Sequence, residues 1–306
     1  MRYLGKKLLS LIVVLFFASI ICFSIIHFIP GDPAEAMAGP GVSEADVEKL
    51  RVSMGLDRPL VEQYITWMGD IILKGDFGTS LVNNESVSAL MGERFVNTLV
   101  LAFCGILLAV VIGIPLGIIS AIKQNSIIDL ATMGFSILGV SMPIFWVSLI
   151  LILIFSVDLR IFPATGSGTI MHLILPSIAI GLNSLAVIAR MTRSSMLEVL
   201  RQDFIRTADA KGMPYRTVIL KHALKNAMIP IITTIGIQFG YLLGGAVLTE
   251  TVFLYPGIGR LLVNSISRRD YTTVQGCMFV ITGLFVVLNT AVDLLYHYFD
   301  PRIKNE

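Results

Sequence analysis

Charged residues are scarce in this sequence: Asp, Glu, Lys and Arg account for 14% of its 306 residues, against 55% hydrophobic residues. A soluble domain carries about 25% charged residues, so too few charges are present to cover a water-facing surface. This scarcity argues against an ordinary soluble enzyme. The apolar residues instead fall into runs close to the ~20 residues that a helix needs to cross a bilayer. The sequence therefore predicts an all-α integral membrane protein.

Residues for metal, disulfide or ATP chemistry are also few. The three cysteines include no C-x-x-C pair and the four histidines are scattered, which argues against a disulfide framework or a zinc site. The only Gly-Lys pair, Gly5-Lys6, is followed by Lys7, so the phosphate-binding loop of an ATPase is missing. Asp293 is the only acid well inside a predicted span. We predict no catalytic residue, metal site or cofactor, and the net charge of +2 indicates no nucleic-acid partner.

Six apolar segments are long enough to span a membrane as helices. They cover residues 8–29, 97–122, 131–157, 171–189, 228–249 and 277–299. Pro143 and Pro176 lie in the third and fourth segments, but proline is tolerated in spanning helices whose neighbours satisfy the freed carbonyls. We predict that both segments stay whole. The first segment resembles a signal peptide, yet its apolar stretch exceeds the 7–15 residues of a signal-peptide core, so we predict an uncleaved span.

The distribution of basic residues predicts the orientation. Of the 23 Lys and Arg residues, 14 fall in segments that lie inside if the amino terminus is cytoplasmic, and nine fall outside. Basic residues favour the cytoplasmic side, so both termini are predicted to be cytoplasmic. Residues 1–29 then form the amino terminus and first helix, 30–95 a small acidic external subdomain with two short helices, and 96–306 a five-helix core. That core includes a cytoplasmic loop at 190–227.

The loop at 190–227 has internal organisation. Asp203 is suited to cap a short helix that runs to Ala210, Gly212 to end it in a left-handed conformation, and Pro214 to begin the next helix. The predicted unit is helix, sharp turn, helix. It is either a solvated or lipid-binding connector or a docking element for a cytoplasmic partner, and a rigid helix would let such a partner push on the spans.

Small and uncharged polar residues mark the fifth span. Gly236, Gly240 and Gly244 recur every four residues and share a face, a spacing that allows close helix packing, with space for a solute as the alternative. Gln238 on the same span, Asn183 on the fourth span and Asn289 on the sixth are uncharged polar residues. We predict that each hydrogen-bonds between helices, with contact to a solute as the alternative. Asp293 and His297 are four apart near the end of the last span, and no mechanism is attached to them.

Several motifs resemble the permeases of bacterial ABC importers, in the branch that includes dipeptide, oligopeptide, glutathione and nickel systems. The coupling-loop motif is Arg206-Thr207-Ala208-Asp209-Ala210-Lys211-Gly212, followed by Leu220-Lys221-His222-Ala223-Leu224-Lys225-Asn226-Ala227 and Ile229-Pro230. The supporting motifs are Pro30-Gly31-Asp32-Pro33, Gly55-Leu56-Asp57-Arg58-Pro59-Leu60, Gly75-Asp76-Phe77-Gly78, Tyr255-Pro256-Gly257-Ile258-Gly259-Arg260 and Asp300-Pro301-Arg302. In the wider superfamily the loop begins Glu-Ala-Ala; here Arg206-Thr207-Ala208 replaces that triplet and Gly212 keeps the spacing.

The resemblance implies a pore-forming subunit in the bacterial inner membrane. Its implied partners are a second homologous permease, two cytoplasmic ATPases, an extracytoplasmic solute-binding protein and membrane lipid. The residues implied to couple to the ATPase are Asp203, Arg206, Thr207, Ala208, Asp209, Lys211 and Gly212. Those implied to contact the binding protein are Tyr255, Pro256, Gly257 and Gly259.

Two other classes of function stay open at this point. A secondary transporter is compatible with six spans, although it would usually show an internal repeat and carboxylates at mid-membrane. A structural or signalling membrane protein is the third interpretation. Within the importer class, the solute is a dipeptide, an oligopeptide, glutathione or a nickel complex.

Overall fold

The computed structural model describes the backbone of residues 2–28, 33–38, 41–53 and 55–299. Over these residues the regular structure is helical, without a named strand, which confirms the all-α fold class. The helices before residue 123 are α1 (Arg2–Phe28), α2 (Pro33–Ala38), α3 (Glu44–Ser53), α4 (Leu60–Lys74) and α5 (Val87–Ile122). Next come α6 (Ile127–Ser141), α7 (Ile144–Leu151), α8 (Met171–Leu200), α9 (Asp203–Ala210), α10 (Tyr215–Thr217), α11 (Leu224–Val252), α12 (Ile258–Ser267) and α13 (Tyr271–Phe299).

Five of the predicted spans lie in single helices that are long and apolar enough to cross a membrane. These helical stretches are Lys7–Ile25, Val87–Ile122, Met171–Leu200, Tyr215–Val252 and Tyr271–Val292. The fourth span is continuous through Pro176, as predicted, and several helices extend beyond the apolar segments. In the stretch that ends at Val252, a π-helical segment, Val218–Ala223, joins α10 to α11.

The third span is not a whole helix, which corrects the prediction for 131–157. It consists of α6 and α7, which meet at an angle of 107°, and a π-helical segment, Ile152–Asp158, follows α7. Met142 is extended, with φ −79° and ψ 129°, because the ring of a following proline disfavours the helical conformation. Pro143 also has no N–H to donate into the preceding turn. Six spans result only if this bent pair counts as one.

Contacts divide the chain into two compact units. The first contains Met1–Thr98 and Pro256–Val287, and α3 and α4 supply the two short helices predicted after the first span. Asp270 organises its polar interior: the carboxylate is 4% exposed and accepts hydrogen bonds from the hydroxyl of Ser80 at 2.5 Å and of Thr273 at 2.8 Å. The apolar core of this unit comprises Val87, Met91, Ile258, Leu261 and Cys277.

The second unit contains Leu99–Tyr255 and Leu288–Glu306. Helix α8 packs against both α6 and α11 and, with 14 buried residues, has more of them than α6 or α11 among the described residues. Gly181 on α8 faces Gly105 on α5 so closely that a Cβ at Gly181 would lie 2.6 Å from the Gly105 carbonyl oxygen. Two glycines therefore bring these backbones together, as small residues do in membrane helix pairs.

Candidate functional site

Helix α9 lies in the predicted cytoplasmic loop and has one buried face. Ile205 is 4% exposed and Ala208 is 7% exposed, and both pack in an apolar cluster with residues of the flanking helices. The other buried members of that cluster are Ala121, Met196, Val218, Ile219, Ala223, Ala227 and Ile231. The helix is thus fixed by its apolar side to the ends of longer helices.

The opposite face of α9 is exposed and charged. Six of the seven predicted coupling residues are exposed, namely Asp203, Arg206, Thr207, Asp209, Lys211 and Gly212, whereas Ala208 is buried. The predicted capping role of Asp203 is wrong: the N-cap is Gln202, without a side-chain capping bond. Asp203 instead occupies the first turn, where its negative charge favours the positive end of the helix dipole.

The end of α9 depends on Gly212, as predicted. Its φ is +72°, a left-handed conformation that glycine adopts without steric cost. Its N–H donates to the Asp209 carbonyl at 2.9 Å, and the Met213 N–H donates to the Ala208 carbonyl. The sequence places Pro214 in the first turn of the next helix, whereas in the structure it is the N-cap residue that precedes α10.

Sequence reasoning missed two exposed aromatic residues beside this charged face. Phe204 is 43% exposed and Tyr215 is 58% exposed. Exposed apolar side chains mark an interaction surface when they form a contiguous patch. Phe204 lies off the apolar stripe of the short amphipathic helix α9. An aromatic residue at such a position is a signal that the sequence already offered.

A cavity of about 490 Å³ lies in the second unit among α7, α8 and α11. It contains two of the predicted polar residues, Asn183 and Gln238, and Ser184 donates a hydrogen bond to the Gln238 amide oxygen at 3.1 Å. The lining residues are Ile144, Ile180, Asn183, Ser184, Gln238, Tyr241, Leu242 and Gly245. Asn183 and Gln238, which the sequence placed on separate spans, thus line one cavity. The hydrogen-bonded residues Ser184 and Gln238 are 54 positions apart in the chain.

An ion pair between α6 and α8, with a buried carboxylate and a partly exposed guanidinium, is the other group that sequence reasoning missed. Asp129 is 3% exposed, and Arg193 contacts it in a bidentate manner, with Nε–Oδ1 at 2.6 Å and Nη2–Oδ2 at 2.7 Å. The Ser120 hydroxyl and the Asn125 N–H also donate to this carboxylate. Bidentate, charge-assisted pairs are the strongest hydrogen bonds of proteins. Asp129 just before the predicted third span and Arg193 just after the predicted fourth span were the available signal.

The three predicted packing glycines of α11 have different surroundings. A Cβ at Gly236 would overlap the side chain of Val292 on α13, Gly240 is buried, and Gly244 is exposed with no described atom within 4 Å of an added Cβ. Gly236 therefore packs within this chain. The side chains of Asp293 and His297 lie outside the described residues.

Replacing Gly236 with leucine is expected to destabilise the isolated chain by about 1–3 kcal/mol, because overpacking forces neighbouring groups apart. Gly244→Leu is the matched control, since it makes the same chemical change on the same helix in open space. Thermal unfolding in detergent measures both. Equal melting temperatures for the two variants would contradict packing at Gly236, and a loss confined to Gly244→Leu in the assembled complex would indicate an intersubunit contact there.

The segment after α11 is mostly buried. Tyr255, Gly257 and Gly259 are buried and Pro256 is half-buried, whereas Leu254 is 46% exposed. The Tyr255 N–H donates to the Glu250 carbonyl at 2.9 Å. Burial raises the pKa of Tyr255, and the charge of Glu250 raises it further. The exposed surface of this segment is thus supplied by Leu254.

Long apolar helices, a short helix with one anchored and one charged face, and an uncharged cavity are typical of a multi-pass membrane transport subunit. Residues 113–305 match the family described as "Binding-protein-dependent transport system inner membrane component". Residues 1–102 match "Binding-prot-dependent transport system membrane comp, N-term". The chain belongs to this family of inner-membrane transport components. It is a permease component of an ABC importer, a class that works with ATPase and solute-binding partners.

Two curated relatives support this assignment, and one solved structure shares the fold. A dipeptide transport system permease protein of Alkalihalophilus pseudofirmus is 45% identical, over 99% of each chain. A glutathione transport system permease protein of Escherichia coli is 41% identical, also over 99% of each chain. The crystal structure of an amino acid ABC transporter with histidines has a TM-score of 0.53 at 16% identity, covering 70% of this chain and 94% of that one. This last likeness concerns the fold alone.

Proposed function

We propose that the chain forms half of the translocation path for a peptide-like solute, a di- or oligopeptide or glutathione. The observation that carries the proposal is the full-length identity of 45% and 41% to permeases named for a dipeptide and for glutathione. Neither of these relatives is named for nickel or for ion-driven transport. In the complete importer the chain pairs with a second homologous permease, two cytoplasmic ATPases and an extracytoplasmic binding protein.

The exposed face of α9 is the proposed ATPase contact. Ile205 and Ala208 anchor the helix to the ends of longer helices, so a push on the face that carries Arg206 and Asp209 is transmitted to them. The chain itself is non-catalytic, and the ATPase partners hydrolyse ATP. Closure of those partners then switches the path between inward-open and outward-open states, a coupling of two sites through a two-state element.

Both termini and the 190–227 loop are proposed to be cytoplasmic, on the excess of Lys and Arg in these segments. The segment 253–259, including Tyr255 and Pro256, is proposed to support the surface that meets the binding protein. Single cysteines at Ser86 and Gln202 test the orientation, because an impermeant reagent added from outside should label only residue 86. Labelling of residue 202 alone would reverse the assignment.

Transport by the reconstituted complex tests the proposed function. Proteoliposomes with both permeases, the ATPases and the binding protein should take up a labelled dipeptide or glutathione only with ATP, and excess nickel should not compete. The chain alone should neither hydrolyse ATP nor transport. Uptake by the lone chain driven by an ion gradient would instead establish a secondary transporter.

A further inference from the structure

The cavity of the second unit has a lining that combines amide groups with apolar surface. None of its eight lining residues is charged. Its volume of about 490 Å³ lies in the range of small-molecule sites, which are mostly apolar with a few placed polar groups. Ile180 and Leu242 supply buried apolar walls, at 1% and 3% exposure. The cavity is therefore suited to a small neutral polar group rather than to an ion.

The amide of Gln238 is oriented by its neighbour. Its oxygen accepts the hydrogen bond from Ser184, whose side chain is itself buried. No other hydrogen bond of the Gln238 amide is present among the described residues, so its nitrogen keeps two donors for a group in the cavity. Gln238 itself is only 9% exposed, which limits the access of water to its amide.

Asn183 supplies the complementary atom. Its amide nitrogen donates to the Val140 carbonyl at 3.4 Å, and its oxygen has no partner within the part of the chain that the structure describes. An amide donor from Gln238 and an amide acceptor from Asn183 thus line the same cavity. A peptide group carries the matching pair, a carbonyl acceptor and an N–H donor.

We propose that this cavity is a transit subsite for the peptide backbone of the solute, with the Gln238 nitrogen donating to a solute carbonyl and the Asn183 oxygen accepting from a solute N–H. This inference rests on the proposed function. The lining residues include no charged group that could pair with a charged terminus or side chain of the solute. The subsite therefore contacts the peptide backbone and does not select among side chains. Weak, neutral contacts also suit a path that must release its solute.

Gln238→Leu in the reconstituted complex tests the subsite, with Gln275→Leu as the matched control. Gln275 is equally buried, at 9% exposure, and does not line the cavity. The binding protein is saturated with alanyl-alanine, alanyl-phenylalanine or alanyl-glutamate in turn, and solute uptake and ATP hydrolysis are measured together. Gln238→Leu should lower the solute transported per ATP about tenfold for all three dipeptides, because a buried peptide carbonyl loses its donor. The ATPase rate stimulated by the liganded binding protein should stay at the wild-type level.

Each other outcome overturns a defined part of the argument. If the wild-type complex transports the dipeptides and Gln238→Leu behaves like Gln275→Leu, the cavity holds something other than solute, such as lipid. If the loss differs among the three dipeptides, the subsite reads side chains. If ATP hydrolysis falls together with uptake, Gln238 supports the switch between states and not solute passage. If the wild-type complex takes up neither dipeptides nor glutathione, the proposed function fails first.

Discussion

Arg193→Ala is expected to destabilise the chain by about 3–5 kcal/mol, because it leaves the buried Asp129 carboxylate without its counter-ion. Asp129 is 3% exposed, and its two oxygens contact the guanidinium at 2.6 and 2.7 Å. The loss should appear as a lower melting temperature of the purified complex and as less folded protein in membranes. Solute uptake should fall with it, since the pair joins α6 to α8.

The matched control for this prediction is Arg206→Ala. Arg206 lies 3.8 Å from Asp203, and both side chains are exposed, at 78% and 97%, so this surface pair contributes little stability. A second variant removes both charges of the pair, Asp129→Leu with Arg193→Met, and should recover part of the loss, because the buried carboxylate is no longer present without its partner. Recovery should be partial, since Ser120 and Asn125 still lose their acceptor. Equal melting temperatures for Arg193→Ala and Arg206→Ala would show that the ion pair is dispensable.

Gly212→Val is expected to lower both solute uptake and stimulated ATP hydrolysis, by misplacing the contact with the ATPase, while leaving membrane insertion intact. The φ of +72° at this position costs a residue with a Cβ about 1–2 kcal/mol, and β-branching makes the conformation less accessible still. No described atom lies within 4 Å of an added Cβ, so the effect is one of backbone conformation and not of crowding. Uptake and binding-protein-stimulated ATP hydrolysis should both fall in the reconstituted complex.

Gly212→Asn is the control for that prediction, because asparagine adopts the left-handed conformation more readily than other residues with a Cβ. It should retain most of the uptake. Asp209→Lys tests the charged face by another route, since it reverses a charge on α9 without altering the backbone, and Glu62→Lys on α4 makes the same change at an exposed site elsewhere. Normal uptake and normal stimulated hydrolysis in both Gly212→Val and Asp209→Lys would reduce the loop to a connector.

The expected absence of a local metal or catalytic centre directs attention to helix contacts. Among the described residues, no group of three or more His, Cys, Asp or Glu side chains is placed to hold a metal ion. Some buried polar residues of the second unit join helices, as Asp129 does through Arg193, or line the cavity, as Gln238 does. Both arrangements suit a subunit whose task is to change conformation around a passing solute.

The sequence by itself determined the features that depend on neighbouring residues. The apolar runs predicted six whole spans, because a segment in lipid must satisfy its own backbone hydrogen bonds, and five of the six are single helices. The turn residue Gly212 likewise predicted the end of α9, since the left-handed conformation is a property of the glycine itself. The motifs around 206–212 and 255–260 indicated the family before any geometry was known, and the full-length relatives confirm it.

The tertiary structure alone decided which distant groups meet. Asp129 and Arg193 are 64 residues apart, and Ser184 and Gln238 are 54 apart, so no local pattern could pair them. Pro143 signalled a disturbance of the third span, but the 107° bend depends on the packing of α6 and α7 against α8. Tyr255 and Gly259 are conspicuous in the sequence yet buried in the fold. Local conformation follows from each residue's own sterics and hydrogen bonds, whereas burial and pairing depend on packing among helices that are distant in the chain.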